Sequence, residues 1–143
     1  MTVAQALKEK NKLASKIRIN WFRISTKNAL PKGAVRPYDI NLVKEDNLKL
    51  IDELIKLKTS IHNASSPVRE KIFRLSELKA ILTNLEKIPT SEGLTRDKYE
   101  SNYTEMESIL KTVEVDEMIS KYQDEIDELQ NELDTFNYMT MIS

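Results

Sequence analysis

The sequence predicts an all-α protein of long antiparallel helical hairpins, a coiled-coil bundle that assembles as a homo-oligomer. Three observations point there. Apolar residues make up 40% of the 143 and recur at spacings of three and four, the mark of helices with one apolar stripe. Gly (2) and Pro (4) are too scarce for a turn-rich β-sandwich or barrel, or for a Gly-rich phosphate loop. The stripes are narrow, so each helix must bury its seam against another, within one chain or between chains.

Residues 1–143 read as one helical domain, with helices expected at about 3–28, 40–61, 67–88 and 115–137. Thr2 is a good N-cap for the first helix. Its stripe runs Val3, Leu7, Ala14, Ile17, Trp21 and Ile24, with Lys10 interrupting it. Asn28 and the Leu30-Pro31-Lys32-Gly33 stretch end it and open a loop over 29–38. Asp39 caps the second helix, with Tyr38 and Val43 placed as a hydrophobic staple. Val43, Leu50, Ile51, Leu54, Leu57 and Ile61 form its stripe, and Asn47 falls in the seam. His62-Asn63-Ala64-Ser65 reads as a turn. Ser66 then caps the third helix with Pro67 at its first position, where a missing N–H costs nothing.

The third stripe runs Val68, Ile72, Leu75, Leu78, Leu82 and Leu85, and Pro89 marks its end. Residues 89–98 read as a polar loop. Over 99–114, Tyr99, Tyr103, Met106 and Leu110 fit a helix among weakly patterned neighbours. The last helix keeps a strict heptad through Ile119, Tyr122, Ile126, Leu129, Leu133 and Phe136, bordered by acids.

A net charge of −1 conceals a strong asymmetry. Residues 1–43 carry +7, residues 44–96 carry +2 and residues 97–143 carry −10. Such a split marks a binding face at one end, or attraction between the acidic last helix and the basic first one.

Catalysis finds little support. Zero Cys and one His exclude disulfides, thiolate sites, a Cys nucleophile and a polyhistidine metal centre. Asp124, Glu125, Asp127 and Glu128 flank the last seam and read as a solvated face, while Ser65-Ser66 fits capping. Neither enzymatic activity nor a cofactor is expected. The N-terminal residues hold no apolar run of signal-peptide kind, and no stretch reaches the roughly 18 apolar residues that span a bilayer. The stripes are too narrow for a lytic helix, so the expected setting is the cytoplasm (a host's, if phage-encoded) without a membrane partner. A net-negative chain is also a poor nucleic-acid binder.

The basic end is more informative. Lys12, Lys16, Asn20, Arg23 and Lys27 form one polar stripe on the first helix, bordering the stripe that carries Trp21. Lys32, Arg36 and Tyr38 are placed to fold back over it. Guanidinium and ammonium groups bind phosphate by charge-assisted hydrogen bonds, and an aromatic ring stacks on a base. The candidate ligand-binding set is therefore Lys16, Asn20, Trp21, Arg23, Lys27, Lys32, Arg36 and Tyr38. A solvated face, or salt bridges between helices, explains the same lysines and arginines. Trp21 itself fits the core, with Phe22 flanking it. Met118, Met139 and Met141 read as packing. Arg69, Arg74 and Arg96, with Tyr99 and Tyr103, make a second, weaker cluster.

The order of these features resembles the septicolysin-like family of small, largely uncharacterised bacterial and phage proteins. The likeness lies in the Ala6-Leu7 helix start, Arg23-Ile24 followed by Asn28-Ala29 and Gly33, and the Leu-rich second helix. It continues in Asn63, in Val113 to Asp116 ahead of the last helix, and in Phe136-Asn137-Tyr138. The chain departs from the family pattern around Pro37 and over 89–103. The resemblance implies a helical, oligomer-prone protein without an established catalytic role. Together these readings predict a non-catalytic oligomer that sequesters an anionic small molecule, a nucleotide or cyclic-nucleotide signal, in the manner of phage anti-defence sponges. A structural coiled-coil scaffold or adaptor without a small-molecule ligand is the alternative.

Overall fold

The computed structural model describes residues 1–96 and 103–143. Four α-helices and one short β-hairpin form, in the order α1 (Val3–Lys27), α2 (Ile40–Ala64), α3 (Arg69–Glu86), β1 (Gly93–Arg96), β2 (Tyr103–Met106) and α4 (Thr112–Met139). They fall into two compact units, Met1–Pro67 with Asp134–Ser143, and Val68–Leu133.

The first unit is a helical hairpin. Thr2 caps α1 in a full capping box, its hydroxyl accepting from the Gln5 N–H while the Gln5 side chain accepts from the Thr2 N–H. Asp39 caps α2, its carboxylate accepting from the Leu42 N–H at 3.3 Å. In the hairpin seam Asn20 donates to the fully buried Asn47 across 3.3 Å. Counting outward from that pair in antiparallel register brings Ile24 level with Val43, Ile17 with Leu50, and Leu13 with Leu54. Val3, Ala6 and Leu13 are the buried apolar residues of α1. The seam therefore takes Leu13 where Ala14 was expected, and Ala14 is exposed. Trp21 is 46% exposed and Phe22 67%, so the expected core role of Trp21 does not hold. A short backbone contact also ties both ends of this unit together, with the Val3 N–H donating to the Thr140 carbonyl at 2.8 Å.

Within the second unit, α3 and α4 supply Leu75, Leu78, Leu85, Val115, Ile126 and Leu133 to the interior, each less than a tenth exposed. Lys71 pairs with Glu132 at 2.8 Å and Arg74 with Glu125 at 3.7 Å. These two acids of α4 thus face α3 cations. The hairpin β1–β2 is antiparallel, with Gly93 opposite Met106 and Arg96 opposite Tyr103.

Several element boundaries differ from expectation for local reasons. Nothing between His62 and Ala64 breaks a helix, so α2 runs to Ala64, and His62 sits in its last turn, where a basic group suits the dipole. Ser66 and Pro67 open a 3₁₀ turn, Ser66–Val68, and α3 begins at Arg69 without a side-chain cap. Tyr103 and Met106 lie on a strand where helical spacing was expected, while Tyr99 lies outside the described residues. Met139 and Met141 are mostly exposed, against their expected packing role.

Candidate functional site

The basic stripe of α1 meets the loop at the turned end of the first hairpin. Asn28 caps α1 with helical backbone, and residues 28–39 return the chain to α2. Gly33 takes φ of 86° in this return, a left-handed conformation natural to glycine. Arg36 then reaches back, its Nη1 donating to the carbonyls of Lys27 at 3.0 Å and Asn28 at 2.9 Å. Those carbonyls end α1 and carry its negative dipole, so the guanidinium serves as a C-terminal cap. Of its five N–H donors, the three on Nε and Nη2 take no part in these two bonds.

Tyr38 follows two residues later, and the Arg23 guanidinium lies 4.9 Å from its ring centroid. That is a cation–π contact between the stripe and the loop. Arg36, Tyr38 and Asn28 line an open recess of about 590 Å³ ahead of the first turn of α2. The Asp39 carboxylate also borders it, but its cap bond to Leu42 holds it toward the helix.

The expected site residues divide into three groups. Arg23 meets Tyr38, Tyr38 and Arg36 line the same recess, and Lys27 contributes the carbonyl that Arg36 caps. Lys16 and Lys32 are exposed, on the stripe and in the loop respectively. Asn20 and Trp21 turn elsewhere. Asn20 is committed to Asn47 in the seam. Trp21 and Arg23 stand two residues apart, about 200° around the helix, so they project from opposite flanks of α1. Hence the indole does not face the recess.

Asn41 and Pro37 also line the recess, and sequence reasoning passed them over because neither carries charge. Of the second cluster, Tyr99 and the Arg96 side chain lie outside the described residues. Arg74 is engaged with Glu125, and Tyr103 is 64% exposed on β2. Among the described residues, no group of three or more His, Cys, Asp or Glu is placed to hold a metal ion. No helix of the described residues is long and apolar enough to cross a membrane.

Glu92 forms a separate polar cluster at the base of the β-hairpin. Its carboxylate accepts from the Lys111 ammonium and from the Ser108 hydroxyl at 2.7 Å. These donors, Lys111 foremost, lower its pKa from 4.5 to about 2. The group is half exposed and closes the strand ends onto the start of α4, a structural role. Comparison of the chain with family models, with curated proteins and with solved structures finds no match.

Proposed function

We propose that this chain is a non-catalytic, self-associating binding protein whose recess at the turned end of the α1–α2 hairpin takes an anionic, ring-bearing small molecule of the nucleotide or cyclic-nucleotide kind. The supporting observation is the Arg23–Tyr38 contact beside an open recess into which Arg36 is held by its own capping bonds. Phosphate oxygens suit the remaining guanidinium donors, and Lys27 and Lys32 add long-range attraction. A planar base suits the part of the Tyr38 ring that remains exposed. On this reading the protein sequesters its ligand in the cytoplasm, as an anti-defence sponge does, and the resemblance to the septicolysin-like family belongs to the same proposal.

Calorimetry at low salt against mononucleotides, cyclic nucleotides and inorganic phosphate tests it. A ring-bearing phosphate binds more tightly than inorganic phosphate, and Arg23→Ala weakens it by about tenfold to a hundredfold, the worth of a hydrogen bond to a charged group. Absence of heat with every anion at low salt ends the proposal.

A second reading, a helical scaffold without ligand, is favoured by the exposed apolar residues Leu48, Ile55 and Trp21. It stands if Arg23→Ala and Arg36→Ala leave every activity intact while Leu129→Asp abolishes assembly.

A further inference from the structure

The α1–α2 hairpin has two flanks, and they differ in chemistry. At about 100° per residue, Arg23, Lys16 and Lys12 fall on one side of the α1 seam, whereas Leu7, Ala14 and Trp21 fall on the other. On α2, Leu48, Ile51 and Ile55 fall on one arc, turned by about a third of a circle from the seam residues Leu50, Leu54 and Leu57. For two antiparallel right-handed helices these two arcs open on the same side of the hairpin. That side therefore carries an apolar strip, interrupted by Lys10 on α1 and bounded by Lys44 on α2, opposite the basic stripe. Its large side chains are open: Trp21 is 46% exposed, Leu48 50% and Ile55 57%.

We infer that this strip docks a second copy of the same chain about a two-fold axis parallel to the helices. The inference rests on the self-association proposed above and names the surface. Two features of the molecule favour this occupant. The first is area. Trp21, Leu48 and Ile55, the large side chains of the strip, are each about half exposed, and a second copy seated there removes that apolar surface from water.

The second feature is charge. Arg18 projects at the α1 rim of the strip and Glu45 and Asp52 at the α2 rim, and all three are exposed. In the register set by Asn20 and Asn47, Arg18 lies between the levels of Glu45 and Asp52. A two-fold axis along the helices leaves axial level unchanged and exchanges the two rims. Each α1 then lies on the partner's α2, with Arg18 of each copy beside Glu45 and Asp52 of the other. Trp21 and Ala14 come within two residues, about 3 Å along the axis, of the levels of the partner's Leu48 and the partner's Ile55. The result is an isologous four-helix arrangement in which all neighbours run antiparallel.

Sedimentation equilibrium from micromolar to millimolar concentration tests it. The wild-type chain is expected to dimerise, and Ile55→Asp to raise the dimer dissociation constant roughly a hundredfold by placing a carboxylate in an apolar contact. A charge exchange tests the geometry with exposed positions only. Arg18→Glu chains, and chains carrying Glu45→Lys with Asp52→Lys, each self-associate weakly, and mixing the two restores dimers at wild-type strength. A wild-type chain that stays monomeric throughout overturns self-association altogether. A wild-type dimer that ignores Ile55→Asp, with no recovery on mixing, overturns this face while leaving self-association standing.

Discussion

Asn47 gives the sharpest test of the first hairpin, because its two side-chain atoms have unequal fates. Its Oδ1 accepts from Asn20 at 3.3 Å, while Nδ2 is buried without a hydrogen-bond partner. Asn20→Ala removes the donor and strands Oδ1 beside the already unpartnered Nδ2. A stranded buried group costs about 1–3 kcal/mol. The better helix propensity of Ala offsets about 0.5 kcal/mol of that, leaving a net loss of about 1–2 kcal/mol. Adding Asn47→Ala then removes the stranded groups at the expense of a small cavity, and recovers about 1 kcal/mol.

The double variant is therefore more stable than the single Asn20→Ala chain, although it has lost the more deeply buried side chain. Trp21, the one tryptophan, sits beside Asn20 and reports unfolding of this unit in urea by its fluorescence. In a unit of this size, each kcal/mol corresponds to about 4–8 °C in Tm. If Asn47→Ala destabilises the Asn20→Ala background further, the buried amide is well satisfied and the reasoning fails.

Arg36→Ala removes the cap on α1 and should cost about 1 kcal/mol in the same urea assay; a change below 0.3 kcal/mol would mean the two carbonyls are equally well served by water. Lys71→Ala breaks an exposed ion pair with Glu132 and should change stability by less than about 1 kcal/mol, whereas Leu78→Ala in the same unit should cost about 2–5 kcal/mol; thermal unfolding of both variants checks the contrast. The Glu92 carboxylate has a lowered pKa, so its stabilisation is complete above about pH 4.5 and is lost as pH falls through about 2. The Ser108 amide resonance should follow that acid titration, and a midpoint near the ordinary 4.5 would show the Lys111 contact to be absent in solution.

The helices were legible because their apolar spacing and caps agree, as Thr2, Asp39 and the heptad of α4 illustrate. What periodicity does not reveal is which neighbour an apolar residue meets. Leu13 and Ala14 both fit the first stripe, and only packing against α2 selects Leu13. On α2, Leu48 and Ile55 fit a helix as well as Leu50 and Leu54 do, yet they point away from the seam. The β-hairpin was missed because Tyr103, Met106 and Leu110 keep helical spacing, while strands of four residues show too little alternation to compete.

At the site, the loop length lets Tyr38 return to Arg23. The capping role of Arg36 was not legible in the sequence, since it depends on where α1 ends. Trp21 was drawn into the site by its place in the sequence, and helical rotation carries it to the opposite flank.

The most direct measurement of the central claim is a two-dimensional ¹H–¹⁵N spectrum of the side-chain N–H groups during nucleotide titration. Arg23 and Arg36 Nε–H resonances should move together and saturate, while the Trp21 indole N–H on the opposite flank stays in place. Movement of the indole with the arginines unchanged would contradict the account.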